Sequence, residues 1–118
     1  MSTLYSLTKL ELISGGDEEF ITEIKKVFAE EVLSSLHKLK IATANKDYNS
    51  IKQIAHSIKP SIDSLSIESL YDEIRLLESL ANKKEDMEAI LLLAEKVDTI
   101  LREVIEDMEK TTILKKQS

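Results

Sequence analysis

The chain has 118 residues, of which 42% are hydrophobic and 32% are charged, with two glycines, one proline and 4% aromatic residues. This length fits one domain with a single core, and the scarcity of turn-forming and aromatic residues favours helices over sheets. The sequence has no cysteine, which excludes disulfides, thiolate metal sites and thiol nucleophiles. With 22 acidic and 16 basic side chains the net charge is −6, which disfavours nucleic acid and anionic lipid as partners.

The sequence carries no membrane or secretion signal. No stretch approaches the ~18 consecutive apolar residues of a membrane span, and the N-terminus lacks the basic and apolar regions of a signal peptide. The lack of cysteine also suits a reducing compartment. We therefore expect a cytoplasmic protein that does not contact a membrane.

Helical periodicity predicts a short N-terminal helix followed by longer ones. The segment "LTKLELIS" is amphipathic and ends at Gly15-Gly16, and the acidic residues from Asp17 onward begin a helix of about residues 17–44. Asp47 is a candidate N-cap for the next helix. The apolar residues of that helix recur every three or four positions: Ile51, Ile54, Ala55, Ile58, Ile62 and Leu65. Because this stripe stays in phase across Pro60, a kinked but continuous helix is predicted.

The second half of the chain predicts two further long helices. Ser66 is a candidate N-cap for the third, which extends to about residue 81, and a fourth runs at heptad spacing from Met87 to about residue 110. Residues 111–118 are expected to form a frayed tail outside a core of about residues 5–110. Since the connections are short, the prediction is one all-α domain: an antiparallel up-down four-helix bundle with a short additional N-terminal helix.

Few residues are candidates for chemistry. The sequence lacks a glycine-rich phosphate loop, an HExxH motif and a Gly-x-Ser-x-Gly motif, and it lacks the Glu-x-x-His pairs of di-metal carboxylate bundles. His37 points away from the apolar side of its helix and is interpreted as solvated surface. His56 falls about 140° from the centre of its apolar stripe, at 100° per residue, and is therefore also predicted on the outer side.

Two lysines flank His56 at positions that meet on a helix surface. Lys52 precedes it by four residues and Lys59 follows it by three. An exposed imidazole between two ammonium groups can receive a dianion, and its ring nitrogen is a nucleophile at neutral pH. From this geometry alone, an ordinary surface histidine beside ordinary lysines remains the simpler interpretation.

The segment "IAHSIKPSIDSLS" resembles the phosphorylation-site helix of histidine-containing phosphotransfer (HPt) domains, in which Ala-His-x-Leu-Lys-Gly precedes small residues and a second glycine. Ala55, His56 and Lys59 match that pattern, with isoleucine at the leucine position, and the similarity extends over nearly the whole chain. Pro60 and Ser66 stand where the family has its two glycines. In the family the first glycine keeps the surface beside the histidine low. We hypothesise that the bend at Pro60, and a His56 carbonyl that loses its amide donor, shape the docking surface here.

The resemblance implies a phosphorelay intermediate. A receiver domain, of a response regulator or a hybrid histidine kinase, brings an aspartyl phosphate and its own Mg²⁺; His56 takes the phosphoryl group and a second receiver aspartate accepts it. Lys59 is implied to stabilise the transferred charge. The residues implied to border the docking face are Lys52, Gln53, Pro60, Asp63 and Glu78. The resemblance implies a monomer with no cofactor of its own and no autokinase activity.

Two other functions stay open. A non-catalytic helical adaptor or dimerisation module would retain the bundle without transferring anything, and the heptad spacing of the last helix suits a coiled-coil partner. The same heptad residues are, however, needed to complete the bundle core. A nucleic-acid-binding bundle is disfavoured by the acidic balance and by the lack of a basic face.

Overall fold

The computed structural model describes the backbone of residues 4–117 and the side chains of residues 4–110. Within these residues the protein is all-helical and contains no strand, so the predicted all-α class is confirmed. Five α-helices follow one another: α1 (Thr8–Ser14), α2 (Glu18–Ala44), α3 (Tyr48–Ser64), α4 (Tyr71–Lys83) and α5 (Met87–Gln117). A 3-10 turn, Glu68–Leu70, precedes α4.

The helices pack around one apolar core. α2 contacts α3 and α5, α4 contacts α3 and α5, and α1 contacts α2. Fully buried side chains come from all four long helices and include Leu36, Ile51, Ile58, Ile62, Ile74, Leu77, Ile90 and Leu101. Burial of one such side chain contributes about 1.5–3 kcal/mol. Packing of the apolar faces, rather than intrinsic helix propensity, therefore supplies most of the stability.

Two predicted helix starts are confirmed by their capping contacts. Oδ1 of Asp17 accepts hydrogen bonds from the backbone amides of Glu19 and Phe20, at the start of α2. Oδ1 of Asp47 accepts the amide of Ser50 at the start of α3. Each carboxylate satisfies amides that have no partner inside the helix, which stabilises the first turn.

The predicted N-cap role of Ser66 is wrong, because this residue closes α3 instead of starting the next helix. Ser66 has a φ of 51°, in the left-handed region. Its N–H donates to the carbonyl of Asp63, and the N–H of Ile67 donates to the carbonyl of Ile62. This pair of bonds is a Schellman motif, in which the residue after the helix takes the conformation that glycine favours. A serine thus fills the position at which the HPt pattern has its second glycine.

The N-terminal segment covers the same end of α3. The N–H of Ser6 donates to the carbonyl of Leu65 over 2.7 Å, and Nζ of Lys9 donates to the carbonyl of Asp63 over 2.9 Å. Carbonyls in the last turn of a helix lack partners within it, and a cation suits the negative end of the helix dipole. These contacts therefore stabilise the turn that leads from α3 towards α4.

Two helix boundaries differ from the prediction. α4 begins at Tyr71 instead of near residue 67, because the Schellman turn and the 3-10 turn occupy the intervening residues. The backbone of α5 continues as helix to Gln117, past the expected end near residue 110. The predicted frayed tail falls on residues 111–118, whose side chains lie outside the described part of the chain.

α3 runs unbroken through Pro60, so the predicted continuity of the helix is confirmed, and the predicted kink stays a prediction. Proline has no amide hydrogen, and the carbonyl of His56 therefore loses the helical bond that residue 60 would otherwise give it. Pro60 is exposed and lies in the last turns of the helix. The missing bond is consequently confined to the surface beside His56.

Replacing Ser66 with glycine is expected to stabilise the protein. A left-handed conformation costs a non-glycine residue about 1–2 kcal/mol, while glycine loses about 0.5–1 kcal/mol more backbone entropy, so Ser66→Gly is expected to raise the unfolding free energy by roughly 0.5–1 kcal/mol. The urea midpoint measures this change. Ser64→Gly is the matched control, because Ser64 is still within α3, and it is expected to lower the midpoint. A midpoint for Ser66→Gly at or below that of the wild type contradicts this account of the cap.

Candidate functional site

The candidate site lies where α3 and α4 face each other, and nested side-chain pairs fix the register of the two helices. Asp63 pairs with Arg75 nearest the connection, while Lys59 and His56 both reach Glu78 farther from it. His56 precedes the end of α3 by about two turns, and Glu78 follows the start of α4 by about two turns. Both residues therefore lie about 11 Å from the connection, at 1.5 Å per residue.

The imidazole of His56 stands clear of the core, as its helical position predicted. The side chain is 70% exposed, whereas Ala55 and Ile58 beside it in sequence are buried. Nδ1 of His56 lies 2.8 Å from Oε2 of Glu78. An ionised carboxylate can only accept hydrogen bonds, so Nδ1 carries the proton, and Nε2 of the neutral ring keeps its lone pair. The contact therefore leaves Nε2 as the nucleophilic nitrogen.

Lys59 binds the other oxygen of the same carboxylate. Its Nζ donates to Oε1 of Glu78 over 2.8 Å, and the side chains of Lys59 and Glu78 are only 27% and 21% exposed. An ammonium group has three donors, so the bond to Glu78 leaves two for an arriving anion. The structure thus brings Lys59 and His56 together through one bridging carboxylate.

These contacts lower the pKa of the Glu78 carboxyl. The hydrogen bond from Lys59 is the largest cause, partial burial opposes it, and the hydrogen bond from His56 adds to the lowering. Hydrogen bonds and opposite charges both favour the ionised form of a carboxyl group. Glu78 is therefore an anion at neutral pH, as the assignment of the Nδ1 proton requires.

The other predicted site residues have different surroundings. Asp63 accepts from Nη2 of Arg75 over 2.9 Å and does not join the imidazole. Lys52 is half-buried and takes part in none of the ion pairs formed among residues 4–110. Gln53 and Pro60 are exposed on α3. Their part in partner docking stays a prediction.

Sequence reasoning missed Arg75 and placed Glu78 only at the border of the site. Arg75 holds Asp63 and also lies 5.9 Å from the ring centre of Tyr71. The sequence feature that could have indicated these pairs is a set of opposite charges on either side of the α3–α4 connection. Asp63 and Arg75 are 12 residues apart, and Lys59 and Glu78 are 19 residues apart. These separations identify the pairs in the sequence only if α3 and α4 are already known to be neighbours.

Small side chains and an apolar groove lie on the other flank of His56. A groove of about 350 Å³ is lined by residues of α1, α2, α3 and α5, including Phe20, Val27 and Pro60. Phe20 and Val27 remain 44% and 43% exposed. A second, more polar depression between α2 and α3 includes Ser57 and Ser61. Short side chains at residues 57, 60 and 61 keep this flank of α3 low.

Comparisons with protein-family models, with curated proteins and with solved structures return no match. The resemblance to HPt domains therefore rests on the sequence alone, chiefly on the motif around His56. Within the described ranges no helix combines the length and apolar character needed to cross a membrane. Among those same residues, no three His, Cys, Asp or Glu side chains group so that they could hold a metal ion.

Glu78→Gln is expected to lower the unfolding free energy at pH 7 by about 0.5–1 kcal/mol, as for a partly exposed ion pair. Because the folded-state pKa of Glu78 is lowered, its contribution is present above the unfolded-state value of about 4.3 and is lost as the pH falls through the folded-state pKa. Urea unfolding midpoints of wild type and variant are therefore expected to differ more at pH 7 than at about pH 3. Glu95→Gln, at an exposed carboxylate of α5, is the control. A difference that is the same at both pH values contradicts the lowered pKa.

Proposed function

We propose that the protein is a phosphorelay intermediate of the HPt type. His56 accepts a phosphoryl group from the aspartyl phosphate of one receiver domain and passes it to the aspartate of another. The observation that carries the proposal is an exposed imidazole whose Nδ1 is held by Glu78, with the Lys59 ammonium on the same carboxylate. The Ala-His-x-Ile-Lys motif supports it independently of that geometry.

The proposal includes the arrangement of the long helices. We take α2, α3, α4 and α5 to form an antiparallel up-down bundle, with α1 as the short additional helix. The neighbouring contacts α2–α3, α3–α4, α4–α5 and α5–α2 support this arrangement, since they follow the order of the chain and close into a ring. The short connections between helices support it further.

The transfer step follows from the free nitrogen. The lone pair of Nε2 attacks phosphorus, the P–O bond to the receiver aspartate breaks, and that carboxylate leaves with the bonding electrons. Charge spreads over the equatorial phosphoryl oxygens as this happens, and a fixed cation nearby lowers the barrier. Lys59 supplies that cation with the donors that Glu78 leaves unused.

The partners are receiver domains, which bring the Mg²⁺ used in the reaction. No nucleotide or metal of the protein's own is part of the proposal, and no autokinase activity is expected, because the sequence has no ATP-binding motif. Lys52, Gln53 and Pro60 border the docking face in this proposal, with the low flank at Ser57 and Ser61 giving access to the ring. The protein acts as a cytoplasmic monomer.

A helical adaptor is the second candidate, and the apolar groove is the observation that favours it. Exposed Phe20 and Val27 give the groove a surface that a protein partner can cover without any chemistry at His56. This reading and the relay differ in one respect that can be measured, which is the formation of phosphohistidine.

Incubation with a receiver domain charged with acetyl phosphate is expected to place an acid-labile label on the wild-type protein, because the His56 side chain is exposed and the contact of Nδ1 with Glu78 leaves Nε2 as the nucleophilic nitrogen. His56→Gln is expected to abolish the label. His37→Gln is the matched control, an exposed histidine of α2 outside the site, and it is expected to be labelled like the wild type. Absence of label on the wild type, with charged receivers from several relays, favours the adaptor.

Lys59→Gln is expected to slow transfer to His56 by roughly 10–100-fold. This effect is smaller than that of removing a charge-stabilising donor from a fully buried active site, because Lys59 is partly exposed. Lys52→Gln removes the lysine one turn before His56, which forms no ion pair with the side chains of residues 4–110, and is expected to slow transfer less than about threefold. Single-turnover rates with one receiver measure both effects. Equal rates for the two variants contradict the role assigned to Lys59.

A further inference from the structure

A separate groove of about 250 Å³ lies in the seam between α2 and α5. The described residues that line it all belong to these two helices, so neither His56 of α3 nor Glu78 of α4 borders it. Its floor consists of the buried side chains of Leu36, Leu39 and Ala94. This α2–α5 groove is therefore a surface of the bundle distinct from the candidate site.

The borders of the α2–α5 groove keep apolar side chains exposed. Leu91 of α5 lines the groove and is 41% exposed. Leu33 of α2 is also exposed, and it precedes the lining residue Lys40 by seven positions, which puts both on the same face of α2. A partner that covers these leucines removes apolar surface from water, which favours binding. The groove therefore suits an apolar ridge of a partner.

The two walls of the α2–α5 groove carry opposite charges. Lys40 belongs to the α2 wall and Glu95 to the α5 wall, and neither takes part in an ion pair within residues 4–110. Asp98 also lines the α5 wall and accepts a hydrogen bond from Nε of Arg102 over 2.8 Å. An occupant between Lys40 and Glu95 can therefore satisfy both walls, with an acidic edge facing α2 and a basic edge facing α5.

The shape of the groove favours a helix of another protein over a second copy of this chain. Two copies related by a two-fold axis through this seam would place one groove against the other, and both floors would stay uncovered. A single helix is convex, about 10–12 Å in diameter with its side chains, and can lie along a seam between two helices. Such an occupant is also compatible with the monomer proposed above.

We propose that the α2–α5 groove binds an amphipathic helix of a partner protein. The apolar ridge of that helix lies on the groove floor, its acidic edge faces Lys40 and its basic edge faces Glu95. In the helix arrangement proposed above, the α2–α5 seam is opposite the α3–α4 contact at which His56 lies. The partner therefore docks without covering the imidazole. This inference goes beyond the proposed function and does not depend on phosphoryl transfer.

The test uses a synthetic helical peptide with a leucine ridge, glutamates along one edge and lysines along the other. Titration into the ¹⁵N-labelled full-length protein is expected to shift amide signals of residues 33–43 and 91–98 and to leave the His56 ring signals unchanged. Peptides with only lysine or only glutamate edges are expected to bind at least about fivefold more weakly. Shifts centred elsewhere, or equal binding of the all-lysine peptide through general attraction to an acidic protein, overturn the inference.

Exchange of the wall charges separates a specific contact from a general one. Lys40→Glu makes both walls negative and Glu95→Lys brings a lysine to each wall, so each variant is expected to bind the mixed-edge peptide about three- to tenfold more weakly. The double variant Lys40→Glu/Glu95→Lys restores opposite walls, and the peptide can bind with its direction reversed. Its affinity is therefore expected to return to within about twofold of wild type. A double variant that binds as weakly as the single variants overturns the inference.

A leucine pair on the protein tests the apolar part of the contact. Leu91→Ala is expected to weaken peptide binding about tenfold, as for a side chain covered at the centre of an interface. Leu76→Ala is the matched control, because Leu76 is 49% exposed on α4, outside the groove, and it is expected to bind like wild type. Equal affinities for the two variants overturn the inference. So does a wild-type dimer in sedimentation that the peptide disperses, because it assigns the groove to a second copy.

Discussion

The site depends on one carboxylate that bridges two side chains. Glu78 reaches Nδ1 of His56 and Nζ of Lys59, each over 2.8 Å, and this double contact is possible only if α3 and α4 keep a single register. The connection also constrains that register, because Ser66 closes α3 in a Schellman motif and Lys9 binds the carbonyl of Asp63. A shift of one residue along α4 would move Glu78 by about 1.5 Å and turn it by about 100°, away from both partners.

α3 contributes to the core with one face and to the candidate site with the opposite face. α3 buries Ile51, Ala55, Ile58 and Ile62 along one stripe. This burial fixes the rotation of α3 about its axis and therefore the side of the helix on which His56 lies. The imidazole is therefore exposed because of packing rather than because the region is loose. Pro60 removes one helical hydrogen bond beside the ring but does not interrupt the stripe, so the core tolerates a substitution that changes only the outer surface.

Much of the fold and part of the site could be predicted from local patterns. The Asp47 cap, the continuity of α3 and the outward position of His56 depend on residues a few positions apart, for which helical periodicity is sufficient. The role of Ser66 was predicted wrongly, because serine favours N-caps by propensity whereas here the turn requires a left-handed residue. The bridging role of Glu78 was not predictable, since a residue on one helix gives no indication of its partner on another until the length and shape of the connection are known.

The central claim is that Nε2 of His56 is the phosphoryl acceptor while Nδ1 stays bound to Glu78. ³¹P NMR of the protein after incubation with a charged receiver, with ¹⁵N-labelled histidine, measures it most directly, because coupling between phosphorus and one ring nitrogen identifies the bonded atom. The account predicts a single phosphoramidate signal coupled to Nε2 of His56. A signal assigned to His37, to Nδ1 of His56, or to no histidine at all would contradict it.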